Sequence, residues 1–590
     1  MKNGILDSPE TFEADTLKSA CGLNHSAAPE YTPPLAKVLT HESGPAVDWL
    51  MEKFGLDLSL VAQLGGHSQP RTHRGAEKFP GFTITYALLE KLEAIEAETK
   101  GEVARIVNKA NVNRLLTDAA GHVVGCQYEK DGQVHTEHGP VVLATGGFAA
   151  DFSPQGILAR VRPDLVSFPT TNGEHCTGDG IKMAEAIGAH SVDLESVQVH
   201  PTGLVHPGEP DAKVKFLAAE ALRGVGGLLL DADGNRFCDE LGRRDYVSGE
   251  MYKNKGPFRL VLNGKASQAI EWHCKHYCGR GVMQRFASGH ALAQAMGVPP
   301  AALEATFRKY NEAAQRGAPD EFGKKFFHNL PLEMNDHFHA AIVCPIVHYC
   351  MGGLKIDEES RVINTTGPIM NLYAAGELAG GVHGRNRLGG NSLLDCVVFG
   401  RVAGATAAKD LFAHLLSQAR VGGGAPGKFN VEVDPTGQAV QISWGQAATV
   451  GAVKEAQAAP GVPAAAAARP ASGPQAPLAV GAASGGLATA PVLAPAPAAA
   501  APAQPAKALN LTAEEVAKHN TEDDVWVILN GKVYDCTKFL PDHPGGKKAI
   551  MVFAGKDASE EFNMLHAPNV LTKYLPAEAC LGNLAPSSKL

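Results

Sequence analysis

Residues 141–148 read VVLATGGF, an apolar run that ends in small residues. Such a run is typical of a buried strand whose carboxyl end lets a cofactor touch the main chain. Outward from it, residues 1–418 alternate between strand and helix candidates. We expect strands at 103–107, 122–129 and 140–145, and helices at 36–54, 83–98 and 402–417. This alternation predicts an α/β architecture.

Composition and charge exclude several classes of protein. The 590 residues carry a net charge of −9 with no long basic block, which argues against a nucleic-acid partner. No apolar run is long enough to span a bilayer. The 11 cysteines form no regular framework, which indicates a reducing compartment.

The composition changes after residue 418. Residues 452–507 contain no aromatic residue and consist mainly of Ala, Pro and Gly, so we expect 419–507 to be a flexible linker. Within it, the sequence leaves undecided whether 428–445 form a small strand pair. The final tripeptide, Ser588-Lys589-Leu590, is an address that peroxisomal import receptors read. We expect a peroxisomal location, or a cytoplasmic one if the signal in the tail 586–590 is not used.

Residues 508–585 are expected to form a compact final domain that contains a histidine pair. Thr512 is a candidate N-cap for its first helix. In FLPDHPGGKKAIMVFAGKDASEEFNMLH, His543 precedes Pro-Gly-Gly and His566 closes the stretch. Two neutral imidazoles can hold a haem iron from both faces, which leaves one-electron transfer as the expected task. These residues resemble the cytochrome b5 family, which implies haem b with His543 and His566 as axial ligands.

Arginines and histidines recur in glycine-rich or apolar segments of the first 418 residues. An arginine binds a carboxylate through two parallel hydrogen bonds, and a histidine adds a donor that need not carry full charge. Each alone is an ordinary polar residue, but together they could hold two carboxylates. The candidates stand in VQVHPTG, AAEALRGVGG, GRRDYV, IVHYC and NRLGGN, and they are His200, Glu220, Arg223, Arg244, His348 and Arg387.

The order of these motifs resembles the flavoprotein subunits of fumarate reductases and succinate dehydrogenases, especially the soluble FAD-dependent fumarate reductases. The resemblance covers residues 7–418 and implies that FAD passes a hydride to fumarate. It implies that Arg244 then donates a proton, with Glu220 and Arg223 as a relay. The substrate carboxylates would be held by His200, His348, Arg387 and the backbone of Gly390. The residues that would line FAD are Ala144, Thr145, Gly146, Gly147, Asp179, Tyr349, Glu377, Ser392 and Leu393.

The same resemblance implies a division into domains. Residues 1–194 and 348–418 would bind FAD, and a mobile clamp domain, 195–347, would close over the ligand. Members of this family hold the FAD pyrophosphate with a G-x-G-x-x-G loop at the first strand. In this chain, the glycine spacing of that loop is found at residues 422–427, but no apolar strand precedes them. We therefore expect the first βαβ unit to be missing, which leaves open how FAD is retained.

The sequence thus predicts an FAD- and haem-dependent enzyme that reduces fumarate to succinate. The haem domain would relay electrons from an external donor that the sequence does not indicate. Two alternatives stay open at this point. The flavoprotein could act on another unsaturated acid, or it could be a catalytically dead scaffold that carries a haem electron-transfer module.

Overall fold

The computed structural model describes residues 4–75, 79–421, 429–433, 440–444, 509–543, 546–566 and 570–585. The chain divides into two compact units, one of Met1–Leu415 with Leu511–Leu590, and one of Leu416–Asn510. Within the described ranges, no helix combines the length and the apolar character that crossing a bilayer requires.

The VVLATGGF stretch forms the strand Val141–Leu143 in a three-stranded sheet. It runs parallel to Gly367–Ala374, and that strand pairs antiparallel with Arg361–Asn364. Beyond Leu143 the chain passes through Gly146, whose φ of 72° lies in the left-handed region that favours glycine. The predicted strand at 140–145 and its small-residue end are therefore confirmed.

An adjacent antiparallel meander corrects one prediction. Its strands are Asn111–Thr117, Val123–Lys130 and Gln133–His138, so the strand expected at 122–129 is confirmed. The strand expected at 103–107 is wrong, because these residues are irregular. Val103 is 76% exposed, so the apolar side chain that suggested a strand has no core to face.

Helices cover the three predicted helical stretches. The stretch 36–54 is two helices, Thr32–His41 and Ser43–Phe54, because the chain breaks at Glu42. Pro80–Thr99 covers 83–98, and Asn391–Val421 covers 402–417. The other α-helices before residue 391 are Pro9–Ala20, Ile157–Val161, Asp179–Glu185, Ala221–Gly224, Arg244–Lys253, Gly264–Ala269, Glu271–Gly279, Gly289–Met296 and Pro300–Gln315. Short strands are Leu60–Ala62, Thr72–Arg74, Ser191–Val192, Gly353–Lys355 and Ala379–Gly380.

A five-stranded antiparallel sheet is built around one long strand, Phe338–Cys350. Its other strands are Val197–Leu204, Leu228–Leu230, Phe258–Asn263 and Gln284–Phe286. Both faces of the sheet are buried, since the neighbours Leu260 and Val261 point into different apolar clusters. The boundary expected between residues 347 and 348 falls inside the long strand, so the clamp region and His348 share one continuous element.

Buried histidines make the stability of this region depend on pH. The pKa of His276 is lowered to about 3, mainly because the ring is buried and secondly because of the positive charge of Arg280. Between pH 6.5 and about 3 the unfolded chain therefore binds a proton at this position that the folded chain does not. We expect the free energy of unfolding to fall as the pH drops below about 6.5, by up to about 1.4 kcal/mol per pH unit for each such histidine.

Urea unfolding of the holoprotein at pH 7.5 and pH 5.5 measures this dependence. In His276→Gln the loss between the two pH values should be smaller by about 1 kcal/mol. The exposed His25, changed to Gln, is the matched control and should leave the loss as in the wild type. Equal losses in the His276→Gln variant and the wild type would contradict the prediction.

The unit Leu416–Asn510 contains an antiparallel hairpin of Phe429–Val433 and Val440–Trp444. This is the strand pair that the sequence left undecided. The glycine-spaced stretch 422–427 and the rest of the expected linker, 445–507, lie outside the described residues.

The final domain has a five-stranded sheet, whose strands lie in the order Leu509–Leu511, Cys580–Leu584, Lys532–Asp535, Asp524–Leu529 and Asn520–Thr521. Its α-helices are Ala513–Val516, Lys547–Met551, Ser559–Leu565 and Val570–Tyr574. Thr512 caps the first helix by accepting a hydrogen bond from Glu515 N at 3.2 Å, as predicted. Alternate residues Val525, Val527 and Leu529 point into the core. The predicted small α+β domain is therefore present beside the larger α/β part.

Candidate active site

Two neighbouring strands bring together the histidines that were predicted to bind substrate. His200 lies opposite Ile346, and His348 lies two residues further along the same strand as Ile346. The two imidazole centroids are 5.2 Å apart. The pKa of both histidines lies well below the ordinary value, mainly because they are buried and secondly because of the positive charge of Arg244. Both rings are therefore neutral at pH 7.

The two predicted arginines meet at a glutamine on the same strand as His200. Arg244 Nη1 donates to Gln198 Oε1 at 2.8 Å, and Arg387 Nη2 donates to the same oxygen at 3.2 Å. Gln198 Nε2 donates to the main-chain oxygen of Arg387 at 3.0 Å. Residues from positions 198, 244 and 387 therefore converge on one point, although they are far apart in sequence.

Glu220 anchors the other side of Arg244. Its Oε2 accepts hydrogen bonds from Arg244 Nε at 2.8 Å and Nη2 at 2.6 Å. Its Oε1 accepts from the main-chain N–H of Gly65 at 2.7 Å and lies 3.8 Å from Arg223 Nη2. Burial alone would raise the pKa of Glu220, but the charges of Arg244 and Arg223 outweigh it and lower the pKa to about 2. Glu220 is therefore a carboxylate at every physiological pH.

The charges of this buried cluster do not cancel. Three guanidinium groups, Arg223, Arg244 and Arg387, face one carboxylate, Glu220, and the two histidines are neutral. Three positive charges minus one negative charge leave a net charge of +2. Burial, followed by the charge of Arg244, lowers the pKa of Arg387 to about 10, which still leaves it charged at pH 7. The cluster is therefore complementary to a dianion.

Several donors of the cluster lack a protein acceptor. Within the described residues, the buried atoms His200 Nε2, Arg223 Nη2 and Arg387 Nε make no hydrogen bond. A buried polar group without a partner costs about 1–3 kcal/mol, more if it is charged. Ligand oxygens placed at this point would satisfy these groups, so the arrangement favours a bound carboxylate.

Two residues that contact the cluster were not predicted from the sequence. Gln198 holds both arginines, and strand alternation was the available signal, because positions 198 and 200 lie on one face of a strand. Gly65 lies 155 positions before Glu220, and no local pattern indicated their hydrogen bond. Of the two glycines 389 and 390, a Cβ at Gly389 would lie 3.0 Å from Glu220 Oε1, whereas Gly390 faces Thr72.

The residues predicted to hold the flavin gather at the end of the Val141–Leu143 strand. Ala144 and Thr145 are exposed there. A Cβ at Gly147 would lie 2.4 Å from Glu377 Oε1, so glycine lets the carboxylate approach the main chain. Glu377 Oε1 accepts a hydrogen bond from the N–H of Cys350 at 2.9 Å, and burial raises the pKa of Glu377 to about 7.

The remaining predicted flavin residues lie on three other elements. The Arg387 guanidinium lies over the ring of Tyr349 at 4.3 Å, which joins the flavin residues to the substrate cluster. Asp179 begins the helix Asp179–Glu185. Ser392 and Leu393 lie in the first turn of Asn391–Val421, whose N-terminal end carries partial positive charge. An exposed backbone, two carboxylates and a helix N-terminus fit the polar groups of a flavin cofactor.

The two predicted iron ligands face each other in the final domain. The ring centroids of His543 and His566 are 6.0 Å apart. An iron bound at about 2 Å from each ring nitrogen requires a centroid separation of about 6 Å. Nδ1 of His543 lies 3.2 Å from Gly546 O, and Nδ1 of His566 lies 3.1 Å from Phe562 O. These carbonyls place the proton on Nδ1 and leave Nε2 with the lone pair that a metal needs.

Comparisons with known proteins agree with this geometry. Residues 1–393 match the family described as FAD binding domain, and residues 512–585 match the cytochrome b5-like heme/steroid binding domain. The fumarate reductase of Schizosaccharomyces pombe is 46% identical over 418 residues, which are 70% of this chain and 80% of that protein. The chain belongs to the fumarate reductase flavoprotein family.

Further relatives match a similar share of this fumarate reductase family member. Fumarate reductase 1 of Saccharomyces cerevisiae is 37% identical over 427 residues, covering 69% of this chain and 86% of that protein. The open conformation of a flavocytochrome c3 fumarate reductase has a TM-score of 0.52 at 32% identity, covering 69% of this chain and 68% of that chain. The predicted family and fold class are therefore confirmed.

The cofactors of this family member are FAD and haem, as predicted. The exposed Ala144 and Thr145 at the end of the strand, with Glu377 close to the main chain of Gly147, fit FAD, and the spacing of His543 and His566 fits a haem iron. Hydrogen bonds and a ring contact bring four of the predicted site residues together. Arg244 and Arg387 both reach Gln198, and His200 and His348 lie beside each other.

Proposed function

We propose that this protein reduces fumarate to succinate, with electrons supplied through FAD and a proton supplied by Arg244. One observation carries the proposal. Arg223, Arg244, Arg387 and Glu220 form a buried cluster of net charge +2 with the neutral histidine pair, beside the predicted flavin residue Tyr349. The names of the two yeast relatives support the same reaction.

The bound FAD supplies a hydride, and the protein residues prepare the substrate for it. Arg387 binds one carboxylate of fumarate, and His200 with His348 donates to the other. Holding both carboxylates draws electron density from the double bond, and this stabilises the transition state more than the ground state. Because the rings of His200 and His348 are neutral, they add donors without excess positive charge.

Arg244 protonates the second carbon of the former double bond. An arginine gives up a proton only if it regains one at once. Glu220 Oε2 lies 2.6 Å from Arg244 Nη2, and Glu220 Oε1 lies 3.8 Å from Arg223 Nη2. The 3.8 Å between Arg223 and Glu220 exceeds a hydrogen bond, so the relay requires Arg223 Nη2 to move closer to Glu220 Oε1 before a proton passes through Glu220 to Arg244.

An anaerobic assay of the purified holoprotein with a reduced dye tests this function. Fumarate should be consumed and succinate should appear in equal amount, as measured by mass spectrometry. The monocarboxylate crotonate, which has the same double bond but one charge, should turn over far more slowly because it leaves Arg387 or the histidine pair unfilled. Faster turnover of crotonate would contradict dicarboxylate specificity, and no turnover of either acid would contradict the activity.

Gln198 is expected to position the two arginines rather than to react. In Gln198→Leu both guanidinium groups lose their common acceptor, so the KM for fumarate should rise about tenfold or more while kcat falls less. Steady-state kinetics of the dye-driven reaction measure this split. The exposed Gln268, changed to Leu, is the matched control and should retain both constants. An unchanged KM in Gln198→Leu would refute the positioning role.

We further propose that the haem domain, residues 512–585, relays single electrons to the flavin from an external donor. A haem held by His543 and His566 supplies one electron at a time. Import into peroxisomes through Ser588–Leu590 stays a prediction, and those residues lie outside the described part of the chain. Cell fractionation with and without the tripeptide tests it.

A further inference from the structure

A residue next to the first iron ligand contacts the flavin-binding part of the chain. Asp542 directly precedes His543 and forms an ion pair with Lys109. Both side chains are largely exposed, at 47% and 73%. The final domain therefore contacts the loop before the Asn111–Thr117 strand through a charged residue next to its first iron ligand.

A second contact follows the other iron ligand. Lys573, in the helix Val570–Tyr574 after His566, forms an ion pair with Glu93. Tyr574 OH also donates to Glu93 Oε1 at 3.3 Å. Glu93 lies on the helix Pro80–Thr99, so the two contacts reach different elements of the flavin-binding part.

A third contact precedes His566. Glu561 lies on the helix that ends just before His566, and a Cβ at Gly279 would lie 2.2 Å from Glu561 Oε1. Arg280 follows Gly279 and supplies a positive charge at this point. It is 8% exposed, its guanidinium lies over the ring of Phe216 at 4.5 Å, and its Nη1 makes no hydrogen bond among the described residues.

The three contacts bracket both iron ligands and share one electrostatic character. Asp542 pairs with a basic residue and Lys573 with an acidic one, while the acidic Glu561 lies against Gly279 within range of the charge of Arg280. Exposed ion pairs are weak because water screens them, so such contacts favour a reversible encounter rather than a permanent interface. Because the two domains belong to one chain, a weak encounter is sufficient for frequent docking.

We propose that Glu93, Lys109 and the Gly279–Arg280 corner form the docking surface on which the haem domain of the same chain delivers electrons. This inference rests on the proposed function. Conversion of fumarate to succinate consumes two electrons and two protons. Each turnover therefore needs two single-electron transfers in the docked state, and an external one-electron donor reduces the haem before each of them.

Carbodiimide coupling of the full-length holoprotein tests the docking contacts without any assay of activity. The reagent joins a carboxylate and an amine that touch, so peptide mapping should find Lys109 linked to Asp542 and Lys573 linked to Glu93. Salt screens exposed charges, and at 1 M salt both links should decrease strongly. Recovery of links only within each domain would overturn the proposal.

Charge reversal tests whether the same contacts carry electrons. After flash reduction of the haem, its re-oxidation should be about fivefold slower or more in the double variant Lys109→Glu, Glu93→Lys, because both pairs become repulsive. Adding Asp542→Lys and Lys573→Glu to that variant restores opposite charges and should restore the rate. The matched control is Lys409→Glu, which reverses an exposed cation that pairs with Glu359.

The dye-driven assay separates the failure of this inference from that of the proposed function. Fumarate reduction by a reduced dye should be the same in the wild type, the reversed variant and the restored variant. If that activity is present and the reversal leaves haem re-oxidation unchanged, the docking surface is wrong. If the wild type lacks the activity, the proposed function is wrong, while the cross-links still decide whether the domains dock.

Discussion

Arg244→Ala should abolish fumarate reduction, with a loss in kcat of at least about 10³-fold. The guanidinium is the only group that bridges Gln198 and Glu220 in the described cluster, and it is the proposed proton donor. No other side chain can take both tasks, because Arg387 reaches Gln198 from the other side. The dye-driven assay with fumarate measures the loss, and the haem spectrum should be unchanged.

Removal of Arg244 also takes away the hydrogen-bonded partner of a buried carboxylate, which can destabilise the fold by several kcal/mol. Arg244→Gln separates the two effects, because its amide can still donate to Glu220 but cannot protonate carbon. We expect this variant to bind FAD and to remain inactive. The neighbouring Arg243→Ala is the matched control, since Arg243 pairs with Asp245 and not with Glu220. Retained turnover in either Arg244 variant would refute the assignment.

His543→Ala should remove the haem and leave dye-driven fumarate reduction intact. The substitution takes away one of two rings that face each other at 6.0 Å, and one axial ligand cannot replace the pair. The haem absorbance of the purified protein should disappear, and reduction by one-electron donors that act through the haem should stop. The flavin site keeps all its residues, because none of them lies in the haem domain.

The control for this variant is His519→Gln in the same domain. His519 stacks on Trp526 at 3.4 Å and hydrogen-bonds to Asp524, and it is not paired with His543 or His566 in the described contacts. The His519→Gln variant should therefore retain haem. Loss of dye-driven activity in His543→Ala would show that the two domains do not function separately, and retained haem would exclude His543 as an axial ligand.

Local patterns predicted much of the fold. The VVLATGGF strand, the cap at Thr512 and the spacing of His543 and His566 all depend on residues close together in sequence. The strand expected at 103–107 is absent: Val103 is exposed, and the burial of a side chain is decided by the rest of the chain. The hairpin at 429–444 could not be decided, because its short strands lie between glycine-rich and alanine-rich segments.

The candidate site divides in the same way. Sequence motifs indicated His200, Arg244 and Arg387, but not the glutamine that connects the two arginines. Gln198 stands two positions before His200, and strand alternation could have placed it on the same face. The hydrogen bond from Gly65 to Glu220 joins segments that no local rule relates.

By itself, the sequence determined which chemical groups are present: guanidinium, imidazole and carboxylate side chains in glycine-rich contexts, and a second domain with two histidines at haem spacing. Tertiary structure alone decided that three arginines and one glutamate are buried together with a net charge of +2. Charge complementarity to a dianion depends on distance and burial, because water screens the same groups when they are apart. Distances between residues as remote as 65, 220 and 387 are set only when the strands and helices pack.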